Sequence, residues 1–160
     1  MNIYLIRHGK AESTTEIKLH GERALTANGI EIIKSSIEVW RKFIDSFDII
    51  LSSPLKRAKQ TAIIINSVFK SPFDVAEEIC LLNGGLIENL LSIAGSLNLN
   101  DIAMVGHQPD IGNYIASMIG SNNANFSIPQ ALIAKICFNE KPGIGKGVLE
   151  FLLPPMNKKG

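Results

Sequence analysis

Short apolar runs alternate with longer amphipathic segments along this chain, and this pattern is the feature that most constrains its fold. Residues 3–6, 47–51 and 102–105 form apolar runs that are too short for buried helices and are typical of buried strands. Apolar residues between the runs recur at helical spacing, as at Ile30 and Ile33. Strands and helices in alternation are typical of a parallel sheet covered on both faces. We therefore expect an α/β fold, a three-layer α/β/α sandwich with a mostly parallel central sheet.

The predicted helices span 26–44, 54–69, 86–97 and 111–119. Thr26 is the expected N-cap of the first helix, and Pro54 is expected in the first turn of the second. A further short strand is predicted at 73–76. The runs 132–138 and 148–153 flank the glycine-rich stretch 143–147, which lacks the spacing of a nucleotide-binding loop and indicates a hairpin.

Length and charge limit the classes of protein that this chain can represent. With 160 residues and no internal linker, we expect a single domain over 1–153 and a tail over 154–160. The 16 Lys+Arg nearly balance the 15 Asp+Glu, which argues against nucleic acid as a partner. Neither a membrane span nor a signal peptide is predicted, so we expect a cytoplasmic location. Cys80 and Cys137 have no metal-ligand spacing and are expected to be buried, reduced thiols.

Four basic or imidazole side chains follow predicted strands. Arg7 and His8 follow the first, Arg57 lies in the helix after the second, and His107 follows the strand at 102–105. A lone arginine is usually a solvated partner of an acid, and a lone histidine is usually structural. If the three strands are neighbours, however, these side chains meet at one edge of the sheet. Forked guanidinium donors suit phosphate oxygens, and a neutral imidazole is a nucleophile, so the set fits phosphoryl transfer through a phosphohistidine.

Three motifs, in this order, resemble the signature of the histidine phosphatase superfamily, also called the phosphoglycerate mutase-like fold. They are Arg7-His8-Gly9, the segment SPLKRAKQT at 53–61 and GHQP at 106–109. The segment RALTANG at 23–29 and the short chain are similar to the SixA-type phosphohistidine phosphatases within it. The resemblance covers nearly the whole chain.

The resemblance implies that His8 attacks phosphorus while Arg7, Arg57 and His107 hold the phosphoryl oxygens. It needs no metal or other cofactor. The second ring nitrogen of His8 should donate to a backbone carbonyl, and His107 is expected to act as a cation. Backbone N–H groups at Gly9 and Gln108 are expected to add to the phosphate site.

The roles of other polar residues stay open at the level of sequence. Arg23 can contact substrate or a partner protein, or form a structural salt bridge. His20 is expected to be exposed. Larger members of the superfamily carry a general acid between the arginine motif and the second histidine. Here that region offers only Glu77, Glu78 and Glu88, none of them well placed by the pattern.

The apparent lack of an acid favours a substrate whose leaving group departs without one, such as the imidazole of phosphohistidine. The first hypothesis is therefore a phosphohistidine phosphatase acting on a phosphorylated histidine-containing protein, such as a phosphotransfer domain of a phosphorelay. The alternatives are a broad small-molecule phosphomonoesterase, which needs one of the glutamates as its acid, and a non-catalytic phosphate- or protein-binding module.

Overall fold

A six-stranded sheet forms the centre of the computed structural model, which describes residues 1–14, 20–121 and 123–156. In chain order the strands are β1 (Asn2–Arg7), β2 (Ile49–Ser52), β3 (Ala76–Glu77), β4 (Asp101–Gly106), β5 (Ile133–Cys137) and β6 (Val148–Leu153). Their order across the sheet is β3-β2-β4-β1-β5-β6. The four strands from β3 to β1 pair in parallel, whereas β5 and β6 extend the sheet in antiparallel pairing.

Helices cover both faces of the sheet. They are α1 (Ala27–Trp40), α2 (Lys56–Phe69), α3 (Ile87–Leu97) and α4 (Asp110–Met118). Side chains of β1 alternate between two cores: Ile3 and Leu5 pack in the core with α3 and α4, and Tyr4 and Ile6 pack in the core with α1 and α2. The three-layer α/β/α sandwich predicted from the sequence is therefore confirmed.

Element boundaries differ from the predicted ones by a few residues. Thr26 is the N-cap of α1 as predicted, since its Oγ1 accepts a hydrogen bond from the Gly29 N–H at 3.0 Å. The helix ends at Trp40, and the chain reaches Ile44 through a turn. Helix α2 begins at Lys56, two residues after Pro54. The turn before it is held by the Leu55 N–H, which donates to Ser53 Oγ at 3.3 Å.

The short third strand lies at Ala76–Glu77 and not at 73–76, and Phe73 is exposed. Strand β2 likewise begins at Ile49, two residues later than predicted. Phe47 is nevertheless buried, because its ring packs edge-on against Tyr4 at a centroid distance of 5.0 Å. A buried aromatic residue outside a strand looks the same in the sequence as a buried strand residue. The predicted strand therefore begins at Phe47, two residues before β2.

The hairpin predicted at the end of the chain is confirmed, since β5 and β6 pair antiparallel and the glycine-rich loop joins them. Gly145 adopts a φ of +71° in this loop and packs against Gly120. Both cysteines are free thiols. Cys80 is buried as expected, but Cys137 is only half-buried, because β5 lies beside the edge strand. The Cys137 thiol donates to Glu150 Oε2 at 2.7 Å.

The beginning of the predicted tail packs on the domain, because the Met156 N–H donates to Ser36 Oγ at 2.9 Å. Residues 157–160 lie outside the described residues. Within the described ranges, no helix combines the length and the apolar character that crossing a membrane requires.

Candidate active site

The carboxyl ends of β2, β4 and β1 lie side by side, because these strands are neighbours in the sheet. Arg7 ends β1, His8 follows it, His107 follows β4, and Arg57 lies in the first turn of the helix after β2. These ends meet at a cavity of about 200 Å³. Its walls are formed by Arg7, His8, Ala11, Arg23, Arg57, Asn83, His107, Gln108 and Gln130.

His8 directs the lone pair of one ring nitrogen toward Arg57. Its Nδ1 lies 2.7 Å from the Gly9 carbonyl oxygen, which can only accept, so Nδ1 carries the proton. The Nε2 atom accepts a hydrogen bond from Arg57 Nε at 3.2 Å. Burial, together with the positive charges of Arg57 and Arg7, lowers the pKa of His8 to about 4, although the hydrogen bond to the Gly9 carbonyl acts in the opposite direction. The imidazole is therefore neutral at physiological pH, with Nε2 as the basic atom.

Arg57 is 2% exposed and contacts both imidazoles. Burial, followed by the charge of Arg23, lowers its pKa to about 10, so it stays positively charged at neutral pH. Thr61 lies one turn further along α2, and its hydroxyl donates to the Arg57 carbonyl at 2.8 Å. The Thr61 hydroxyl oxygen also accepts a hydrogen bond from the Gly9 N–H at 3.1 Å. Thr61 thus joins the helix that carries Arg57 to the loop that carries His8.

This contact corrects the expectation for Gly9, whose N–H bonds to Thr61 instead of facing the cavity. Gly9 is needed at this position for a steric reason. A Cβ atom there would lie 2.4 Å from Cδ1 of Ile33, so any larger residue would require the buried Ile33 side chain to shift.

His107 lies between a serine and the guanidinium of Arg57. Its Nε2 is 2.7 Å from Ser53 Oγ, and its Nδ1 is 3.5 Å from Arg57 Nη2. A guanidinium has only donors, so a hydrogen bond between these two groups uses the lone pair of Nδ1 and leaves Nε2 to donate to Ser53. The cationic role that the sequence predicts for His107 stays a prediction. The two histidine rings lie 5.1 Å apart between centroids.

Two further arginines add positive charge to the cavity. Arg7 donates from Nη1 to the Ile128 carbonyl at 2.6 Å, and its buried Nε has no hydrogen-bond partner among the described residues. Arg23 also lines the cavity, and it donates from Nη1 to the Glu12 carbonyl at 3.3 Å. The structure therefore places Arg23 where it can contact a substrate, although the backbone of Glu12 also holds it. The side chain of His20 lies outside the described residues.

Gln108 lines the cavity, and its side-chain Oε1 accepts the Gly112 N–H at 3.3 Å. The sequence did not predict a place in the site for Asn83, Gln130 or the two hydroxyl residues, Ser53 and Thr61. Ser53 and Thr61 both lie in the motif at 53–61, so the motif offered a signal for them. Gln130 lies in the irregular segment before β5 and offers no comparable signal.

None of the three candidate glutamates reaches the cavity. Glu77 pairs with Lys59, with 2.5 Å between Oε1 and Nζ, and Glu88 lines a separate groove between α3 and the β5–β6 loop. Glu78 precedes the short 3₁₀ turn Ile79–Leu81 and is absent from the cavity wall. Within the described ranges, no aspartate or glutamate lines the cavity. Those ranges also hold no cluster of three side chains suited to a metal ion.

Comparison with known proteins identifies relatives in sequence and in fold. The model of the histidine phosphatase superfamily (branch 1) matches residues 3–110. The phosphohistidine phosphatase SixA homolog of Haemophilus influenzae is 25% identical over 150 residues, which cover 87% of this chain and 89% of that protein. The protein histidine phosphatase SixA complexed with tungstate has a TM-score of 0.83 at 19% identity, covering 96% of this chain and 97% of that one. A phosphoserine phosphatase from Entamoeba histolytica has a TM-score of 0.67 at 20% identity, covering 98% of each chain.

Proposed function

Because this chain belongs to the histidine phosphatase superfamily, we propose that it is a phosphatase that hydrolyses phosphohistidine on a protein through a covalent intermediate on His8. The observation that carries this proposal is the buried, neutral His8, whose basic Nε2 faces a cavity walled by Arg7, Arg23 and Arg57. A neutral imidazole is the form that can attack phosphorus.

In the first step, His8 Nε2 forms a bond to phosphorus as the nitrogen–phosphorus bond of the substrate breaks. The substrate imidazole leaves with the electron pair of that bond and takes a proton from solvent. The hydrogen bond between Arg57 Nε and His8 Nε2 must yield to the incoming phosphorus, which frees that donor for a phosphoryl oxygen. In the second step, water attacks the phosphorus on His8, releasing inorganic phosphate and neutral His8.

The arginines stabilise the charge that spreads over the phosphoryl oxygens in the transition state. The buried, unpartnered Nε of Arg7 supplies one donor that no described protein group uses. Phosphate between Arg57 and His107 would separate this pair and favour proton uptake by His107, which then becomes the cation expected from the sequence. The tungstate held by the SixA relative supports an oxyanion as the occupant of this cavity.

The composition of the cavity wall supports a phosphohistidine substrate. An alkoxide leaving group needs a strong proton donor, and the described wall contains no carboxylic acid. The imidazole of phosphohistidine leaves without one. The partner that fits this chemistry is a protein phosphorylated on histidine, such as a phosphotransfer domain of a phosphorelay. We propose the cytoplasm as the compartment in which the two proteins meet.

A small-molecule phosphomonoesterase is the second candidate, and the phosphoserine phosphatase among the structural neighbours favours it. A non-catalytic binding module is a weaker alternative, because phosphate binding alone does not need a neutral imidazole beside the arginines.

A substrate panel tests the proposal. Purified protein is assayed with a phosphotransfer domain phosphorylated on histidine, free phosphohistidine, phosphoserine and sugar phosphates. We expect turnover of both phosphohistidine substrates, little turnover of the esters, and loss of all turnover in His8→Ala. Preferred hydrolysis of the esters would support the second candidate, and comparable activity in His8→Ala would exclude the mechanism. The Arg41→Ala variant, at the exposed end of α1, serves as a control for handling and folding.

A further inference from the structure

The segment 79–86, here called the rim segment, carries two exposed apolar side chains and contributes one residue to the cavity wall. Ile79 is 77% exposed and Leu86 is 62% exposed. Between them lies Asn83, which forms part of the cavity wall. Exposed apolar side chains are common singly on protein surfaces. Two of them on the short segment that also reaches the phosphate site call for a functional explanation.

The beginning of the rim segment is fastened to the elements that carry the site. The N–H of Glu78, directly before Ile79, donates to the Ser52 carbonyl at 2.8 Å, and Ser53 in turn contacts His107. A Cβ atom on Gly106 would lie 3.7 Å from the Leu81 carbonyl oxygen, so this part of the segment packs on the end of β4. Ile79 is therefore tied to the same edge of the sheet as the catalytic histidines.

Helix α4 holds the rest of the rim segment at two points. At the tip, Asp110 Oδ2 accepts the Gly84 N–H at 3.0 Å and lies 3.4 Å from Asn83 Nδ2. At the base, the Tyr114 hydroxyl lies 2.9 Å from the Gly85 carbonyl oxygen and 3.3 Å from that of Cys80. Asp110 and Tyr114 are four residues apart and therefore share one face of the helix.

The two ends of the rim segment also touch each other. A Cβ atom on Gly85 would overlap the Cys80 carbonyl oxygen at 1.9 Å, so the backbone of residues 80 and 85 is in close contact. Ile79 and Leu86 are the residues directly outside this closure. They thus emerge from the base of one closed loop whose tip reaches the cavity.

From this arrangement, and on the basis of the proposed function, we infer that the rim segment is the docking surface for the phosphorylated protein, with Ile79 and Leu86 as its apolar contacts. The cavity of about 200 Å³ has room for a phosphoryl group and its leaving group but not for a protein, so the body of a phosphorylated protein must lie outside it. A free phosphorylated amino acid or sugar is polar and gains little from exposed isoleucine and leucine. A protein surface around a phosphohistidine offers apolar area to them. Because the segment is already fixed, docking costs little conformational entropy.

Truncation of the rim side chains tests this inference. The variants are Ile79→Ser, Leu86→Ser and their combination, and each is assayed with the phosphorylated phosphotransfer domain and with free phosphohistidine. We expect kcat/KM for the phosphoprotein to fall about tenfold for each single variant and further for the double one. We expect kcat/KM for free phosphohistidine to stay within about twofold of the unmodified protein, since the cavity is unchanged.

Val148→Ser is the matched control, because Val148 is 63% exposed on β6 at the far side of the sheet and should leave both substrates unaffected. Equal kcat/KM for the phosphoprotein in all variants would overturn the docking surface. Equal losses on both substrates would also overturn it, since they indicate a disturbed cavity. Failure of the unmodified protein to hydrolyse either phosphohistidine substrate would instead overturn the proposed function.

Discussion

Replacing His8 should change how the stability of the protein depends on pH. Burial and the neighbouring arginines lower the pKa of His8 from its ordinary 6.5 to about 4. Between these values the unfolded chain binds a proton that the folded protein excludes, so stability falls as pH decreases from 6.5 to 4. Each pH unit corresponds to about 1.4 kcal/mol, which gives a loss of about 3 kcal/mol over the whole range and about 2.5 kcal/mol at pH 4.5.

The assay is urea unfolding of the unmodified protein and of His8→Asn at pH 7.5 and pH 4.5. Groups distant from His8 titrate equally in both proteins, so the difference between them reports mainly on His8. When the pH is lowered from 7.5 to 4.5, we expect the free energy of unfolding of His8→Asn to rise by about 2.5 kcal/mol relative to that of the unmodified protein. A relative change below about 0.5 kcal/mol would show that the folded protein accepts a proton on His8 near the ordinary pKa, and would refute the reasoning.

Three further predictions concern the residues around His8. In an NMR titration, Arg57→Met should raise the pKa of His8 above its value of about 4 but leave it below 6.5, because burial is its largest cause; an unchanged midpoint would contradict the assigned contact. Thr61→Val should lower kcat about tenfold with little change in KM, because Gly9 loses its hydrogen-bond partner, and Thr61→Ser should restore most of the rate. Ser53→Ala should lower kcat about tenfold by releasing His107, with rescue by Ser53→Thr; equal rates in Ser53→Ala would remove Ser53 from the site.

The sequence predicted the layers of the fold because its apolar runs are short and its helical faces are well separated. It also predicted the meeting of Arg7, His8, Arg57 and His107, since the carboxyl ends of neighbouring parallel strands share one edge. The motifs marked the residues, and the order of strands brought them together.

Features that depend on side-chain partners could not be predicted in the same way. The Gly9 N–H was expected to face phosphate, but the hydroxyl of Thr61, more than fifty positions away, takes it. The ring nitrogens of His107 contact Arg57 and Ser53, which lie fifty or more positions earlier in the chain. Gln130 reaches the cavity from an irregular segment with no periodic pattern. Each of these features is set by tertiary contact and leaves no local signal.

The central claim is that phosphate passes through Nε2 of His8. The most direct test is rapid quenching of the protein mixed with a ³²P-labelled phosphohistidine domain, followed by mass spectrometry of the labelled peptide. We predict a transient phosphoryl group on His8 that is labile in acid and stable in base, and its absence in His8→Ala. Release of phosphate in a single turnover without any labelled protein, or with the label on another residue, would contradict this account.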